Sequence, residues 1–175
     1  MKKIILLLTV GLLLISCSSS SNDSSSSGVY KWSFKLDGVL YQWQGTLQNP
    51  EGGGGNYNVI NNKGMLSLTN DSPQITIGVQ FPSSSTGNFI FNSSSPSSQG
   101  FNLLIQNQNL TFNTYDSSFG GTMNVNVASI STNTISTNPT NPGKVIGTFS
   151  GTIKKGGSQT LYTITDGSFE ATRGL

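Results

Sequence analysis

Apolar and polar residues alternate along most of the chain after residue 28. In QITIGVQF, residues 74–81, every second side chain is apolar. Successive side chains of a β-strand point to opposite faces, so this period of two predicts a strand with one face in a core and one in water. No stretch of ten or more residues beyond residue 28 shows the 3.6-residue period of an amphipathic helix. The sequence therefore predicts an all-β domain.

Turn residues divide the alternating stretches into roughly ten short strands. The Asn-rich pairs at 61–62 and 107–108 each separate two apolar alternations, which favours antiparallel neighbours joined by tight turns. The second turn predicts that Leu103 lies opposite Phe112.

This organisation indicates an antiparallel β-sandwich, with an antiparallel β-barrel as the alternative. The serine- and proline-containing runs at 82–86 and 93–99 and the Asn-Pro pairs at 138–142 favour the sandwich, because they are long enough to connect two sheets.

The stretch KWSFKLDGVLYQW, residues 31–43, concentrates aromatic residues around one turn. Asp37-Gly38 suits a two-residue type I′ hairpin turn, which places Trp32 opposite Trp43. The same register places Phe34 opposite Tyr41 and collects lysines and glutamines on the other face.

Three interpretations of this aromatic face stay open. Each aromatic ring can bury about 150–250 Å², so a face of four rings favours a position over the core. Alternatively, the face contacts a partner protein, or Trp32, Trp43 and Tyr41 face a ligand and stack on sugar rings.

The carboxy-terminal stretch LYTITDGSFEATR has a break in its alternation. Ile164 and Phe169 are five positions apart, so an unbroken strand would turn them to opposite faces. Either Asp166-Gly167 forms a hairpin turn, or a glycine bulge adds one residue to a single strand. Both alternatives predict that Ile164 and Phe169 face the core.

The chain contains no histidine and one cysteine. Histidine-dependent hydrolysis, histidine-ligated zinc sites, disulfides and multi-cysteine metal sites are therefore excluded. A paired-carboxylate site survives this test, and its candidates beyond residue 28 are Asp37, Glu51, Asp71, Asp116, Asp166 and Glu170. We expect turn-forming roles for Asp37 and Asp166, since each precedes a glycine.

The glycine run at 52–55 lacks the Gly-Lys-Ser/Thr sequence of a phosphate loop and predicts a flexible loop. With no further motif for catalysis, a metal or a cofactor, we expect a protein that is not an enzyme, binds no metal and uses no cofactor.

The first residues, MKKIILLLTVGLLLISC, have the features of an export signal. Lys2 and Lys3 precede an apolar run at 4–16, which is shorter than the about 20 residues that span a bilayer. LISC at 14–17 resembles the lipobox of bacterial lipoproteins. That resemblance implies cleavage after residue 16, lipidation of the Cys17 thiol and acylation of the new amino terminus.

These features divide the chain into a signal peptide at 1–16, a lipidated cysteine with a serine-rich tether at 17–28, and one β domain at 29–175. The tether has no apolar side chain after Cys17 and reaches about 18 Å as a coil. Ser18, rather than aspartate, after the cysteine implies by resemblance a lipid anchor in the outer membrane, with the domain facing the periplasm or the cell surface.

Removal of the signal peptide takes away Lys2 and Lys3 and leaves a formal net charge of zero. We therefore expect no nucleic-acid partner, since nothing attracts phosphate groups.

The order FKLDGVLYQW, TGNFIFN, VIGTFSGTI and TITDGSFEATR resembles a family of small lipoproteins of Bacteroidota. The similarity spans most of residues 32–173 and brings no catalytic or binding residues with it. The resulting expectation is a lipid-anchored protein of the cell envelope that acts as a non-catalytic binding or structural module. The alternatives are a glycan-binding accessory protein that uses aromatic side chains, or an enzyme with an unrecognised carboxylate site.

Overall fold

The computed structural model describes residues 29–46, 52–96, 98–106, 110–114, 120–139, 142–155 and 158–174. Cys17, Glu51, Asp116 and the whole of the predicted signal peptide and tether lie outside the described residues. No described residue belongs to a helix that is long and apolar enough to span a membrane.

Eleven strands make up the described domain, and the all-β prediction is confirmed. In chain order they are β1 Val29–Leu36, β2 Val39–Thr46, β3 Gly53–Ile60, β4 Lys63–Asp71, β5 Gln74–Gln80, β6 Gly87–Asn92, β7 Gly100–Ile105, β8 Leu110–Asn113, β9 Gly120–Ile130, β10 Lys144–Lys154 and β11 Leu161–Arg173.

The strands form one strongly curled sheet whose halves face each other. The β10 half has the order β6-β9-β10-β11-β1-β2, and the β5 half has the order β3-β4-β5-β7-β8. The two halves share one core cluster, in which Phe149 of β10 and Phe101 of β7 have ring centroids 5.9 Å apart.

The backbone joins the halves at two short contacts. All strand pairs of the described residues are antiparallel except β11 with β3, which run parallel and pair Thr172 with Asn56 and Arg173 with Tyr57. An isolated bridge between Phe112 and Lys155 also brings β8 back to the end of β10. The predicted sandwich is thus one continuous, mixed sheet.

The long polar connections cross between halves in two of the three predicted places. Segment 82–86 links β5 to β6 and segment 93–99, described except at residue 97, links β6 to β7, so both change halves. The prediction is wrong for 138–142, which is described except at residues 140 and 141, because the chain passes there from β9 to β10, which are direct neighbours in the sheet.

The predicted register of the first hairpin is confirmed. Asp37 and Gly38 have φ angles of 48° and 84°, as a type I′ turn requires, and Trp32 pairs with Trp43. Phe34 likewise pairs with Tyr41. All four aromatic side chains are buried, which confirms that this face covers the core.

A second predicted register is also confirmed. Leu103 pairs with Phe112 and Ile105 pairs with Leu110. The turn at 107–108 itself lies outside the described residues.

The break near the carboxy terminus is a β-bulge, so the hairpin alternative is wrong. β11 runs without interruption past Asp166, whose φ is 54°. β11 carries one extra residue there. It advances three positions from Thr165 to Ser168, whereas β1 advances only two, because Lys35 pairs with Thr165 and Ser33 pairs with Ser168. The extra residue turns both Ile164 and Phe169 into the core, where both are buried.

The glycine run is not the flexible loop that the sequence predicts. Residues 53–55 belong to β3, and the Trp43 ring lies against Gly53. Beside it, Trp32 Nε1 donates a hydrogen bond of 3.1 Å to the Thr69 carbonyl oxygen of β4. Glycine at 53 therefore makes room for an indole ring that packs directly on a strand backbone.

We expect adjacent glycines of this run to respond differently to a methyl group. A Cβ at Gly53 would lie 2.5 Å from the Thr69 carbonyl oxygen and 2.7 Å from Cδ1 of Trp43. Gly53→Ala should therefore lower the free energy of unfolding by about 1–3 kcal/mol, measured by denaturant titration.

Gly54→Ala is the matched control, because its nearest neighbour would be 3.7 Å away. It should leave the free energy of unfolding unchanged or raise it by up to about 1 kcal/mol. Equal losses in the two variants would contradict the packing role of Gly53.

Candidate functional site

The predicted ligand-facing aromatics lie in the core. Trp32 is 1% exposed, and Trp43 and Tyr41 are each 8% exposed. Phe34 stacks between the rings of Trp32 and Tyr41, with centroid distances of 6.0 and 5.2 Å. Stacking on a sugar ring requires an open ring face, and these positions do not offer one.

Of the described carboxylates other than Glu170, two take part in local structure and one is exposed. Asp37 Oδ1 accepts a 2.7 Å hydrogen bond from the Thr163 backbone N–H, which ties the hairpin tip to β11. Asp166 forms a 2.9 Å ion pair with Lys35 beside the bulge. Asp71 is exposed at the end of β4.

Glu170 lies between two lysines on the outer surface of the β10 half. Its carboxylate is 3.0 Å from Lys31 Nζ and 2.8 Å from Lys144 Nζ. Partial burial alone would raise the pKa of Glu170, but the hydrogen bonds and charges of Lys144 and Lys31 together lower that pKa below its ordinary value. The described residues contain no group of three or more carboxylate or cysteine side chains arranged to hold a metal ion.

The outer surface of the β10 half carries a continuous row of uncharged polar side chains. The row runs across all six strands, because each member pairs with the next in the register of the sheet. We call these residues the amide–hydroxyl row: Asn88, Asn126, Thr148, Ser168, Ser33 and Gln42.

Two depressions follow this row, and together they include all six of its members. One, of about 470 Å³, lies over β6, β9, β10 and β11, and Asn124, Ser150 and Asp166 also line it. The other, of about 420 Å³, lies over β11, β1 and β2. The row is therefore the floor of a shallow, mainly polar surface that runs from β6 to β2, the outermost strands of this half among the described residues.

Most side chains of the row have free hydrogen-bonding capacity. Ser33 and Ser168 hydroxyls are 3.1 Å apart and bond to each other. Among the described residues, no side-chain hydrogen bond involves Asn88, Asn126 or Thr148. These groups point to solvent with both donors and acceptors available.

The charges beside the row nearly cancel. Lys35 is paired with Asp166, and Lys31 and Lys144 share Glu170, which leaves one positive charge in excess. The surface around the row therefore combines neutral polar groups, ion pairs and the exposed apolar side chains of Ile90, Leu40 and Ile146, and presents no strong field of one sign.

Sequence reasoning missed this row. The alternation of Asn124 and Asn126 with valines was a visible signal that two amides share the wet face of one strand. Which strands lie beside β9 was not visible, because β6 reaches it across two intervening strands and the connection to β10 at 138–142 was predicted to lead to the other sheet.

A third depression, an apolar groove of about 270 Å³, lies near the start of β1. Tyr30, Trp43 and Ile135 line it, together with the backbone at Gly54 and Gly55. Tyr30 donates a 3.2 Å hydrogen bond to the Pro142 carbonyl oxygen, and burial raises the pKa of its phenol.

No protein-family model, curated protein or solved structure matches this chain.

We expect the Glu170 ion pairs to stabilise the fold in a pH-dependent way. Because the pKa of Glu170 is lower in the folded state, its contribution is present above the ordinary pKa of about 4.3 and is lost as the pH falls through the folded value. At pH 7, Glu170→Gln should lower the free energy of unfolding by at most about 1 kcal/mol, since solvent screens these pairs.

Denaturant titrations of both proteins from pH 7 to pH 3 measure this effect, and the difference between them should shrink as the pH falls. Asp71→Asn, at an exposed carboxylate that joins none of the ion pairs of the described residues, is the control. A difference between wild type and Glu170→Gln that is constant over this range would contradict the assigned role.

Proposed function

We propose that the protein is a lipoprotein of the bacterial cell envelope, anchored in the outer membrane through Cys17, whose β domain is a non-catalytic binding module. The observation that carries this proposal is the order of segments along the chain. An export signal ends in the lipobox LISC at 14–17, a serine-rich stretch follows, and the first strand begins at Val29.

The position of Val29 supports an anchored binding module. Val29 pairs with Thr46 at one end of the first hairpin, and the Asp37-Gly38 turn is at the other end. Ser33, the member of the amide–hydroxyl row on β1, is four residues along the strand, about 13 Å from the attachment point. A domain held at Val29 therefore presents the row beside its tether and accessible to a ligand.

The environment of the described carboxylates supports a non-catalytic role. Asp166 and Glu170 are both ion-paired with lysines, and Asp37 is committed to a backbone hydrogen bond. A general acid needs a proton near neutral pH, and a lowered pKa at Glu170 disfavours that state.

Lipidation at Cys17 is tested by metabolic labelling with radioactive palmitate. The wild-type protein should incorporate label and appear in the outer-membrane fraction. Cys17→Ser should incorporate none, because serine offers no thiol for the thioether-linked diacylglyceryl group.

Ser18→Ala is the matched control and should be labelled like the wild type. Equal labelling of Cys17→Ser and wild type would refute the anchor.

A further inference from the structure

We propose that the amide–hydroxyl row is a binding site for an uncharged glycan chain that lies across the strands of the β10 half. This proposal rests on the binding-module function above and names the chemical class of the ligand.

The dimensions of the row suit an extended polymer. Neighbouring strands are about 4.8 Å apart, so six strands present one polar side chain at each step over about 24 Å. The two depressions lie next to each other over β11, and β6 and β2 are the outermost strands of this half among the described residues. A linear chain can therefore enter at β6 and leave at β2.

The chemistry of the row suits hydroxyl groups. An amide side chain offers two donors and an acceptor, and a hydroxyl offers one donor and two acceptors. Sugar hydroxyls also donate and accept, so each step of the row can satisfy either role. Strongly charged ligands are not favoured, because the three neighbouring lysines are paired with two carboxylates and leave an excess of only one positive charge.

The asparagines of this face form a local group. Asn88, Asn124 and Asn126 occupy adjacent strands on one face, among nine asparagines that lie within described strands. Among the described residues, no side-chain hydrogen bond involves these three, so their amide groups are available to a ligand.

The glycan contacts differ from those of an aromatic platform. The aromatic residues that line the two depressions, Phe149, Trp32 and Trp43, are 3%, 1% and 8% exposed, so a sugar ring meets amides and hydroxyls rather than a π-face. Each such hydrogen bond replaces one to water and adds a modest amount of free energy. Many anchored copies bound to one polymer would offset this modest affinity per site through avidity.

The test uses the full-length protein purified in detergent and immobilised on a sensor surface. The probes are the neutral polysaccharides amylose, mannan, xylan, dextran and hydroxyethyl cellulose, with alginate and dextran sulfate as acidic comparisons. We expect saturable binding of at least one neutral probe and a weaker response to the acidic ones.

Asn126→Ala and Thr148→Val, at the centre of the row, should each raise the dissociation constant about fivefold, the loss of one hydrogen bond. Asn88→Ala on the edge strand β6 should have the same effect and is the variant least able to disturb the fold. Asn133→Ala, at an exposed asparagine outside the row, is the matched control and should bind like the wild type.

Three outcomes would overturn the proposal: no binding of any neutral probe, stronger binding of the acidic probes, or unchanged affinity in all three row variants. Palmitate labelling of Cys17 is independent of these measurements. A labelled protein that binds no glycan would therefore refute the ligand and leave the anchor in place.

Discussion

The packing of two tryptophans onto strand backbones joins the two halves of this fold at the aromatic hairpin, beside the core that both halves share. The backbone seam between the halves is short, since only two residue pairs of β11 and β3 are hydrogen-bonded in register. Trp32 and Trp43 add further contacts between the halves, because they belong to the β10 half and contact the backbone at Thr69 and Gly53 of the β5 half. The glycine run and the aromatic hairpin are thus two sides of one contact.

The register of the hairpin that makes this contact also shows how a protein with few charges keeps a polar outer surface. The hairpin register turns every large ring of β1 and β2 inward and leaves lysine, serine and glutamine outside. The same alternation in β9 and β10 turns valine and phenylalanine inward and leaves asparagine, threonine and serine outside. The alternation that turns apolar side chains into the core therefore also places the amide–hydroxyl row on the outer face.

Local patterns in the sequence predicted the parts of the fold that local chemistry decides. The Asp37-Gly38 turn determined the hairpin register, because both residues accept positive φ and a slip of one position would expose the rings. The bulge at Asp166 was left open, since Asp-Gly suits a turn and a bulge alike. Its partners on both sides, β1 and β10, decide between them. The glycine run was misassigned for a similar reason, because its strand forms only where an indole ring from a distant hairpin packs on it.

The central position of β11 has a consequence for the order in which the domain can assemble. This strand is the last of the described strands, yet it pairs with β10, β1 and β3. Its Ser168 meets Ser33, a residue 135 positions earlier. Because contacts between such distant residues slow folding, and because the sheet has no centre before β11 joins it, the amino-terminal strands cannot take their final places until β11 is available. A polypeptide of this topology stays open for longer than one assembled from local hairpins, and it commits to its final shape only when its last described strand is in place.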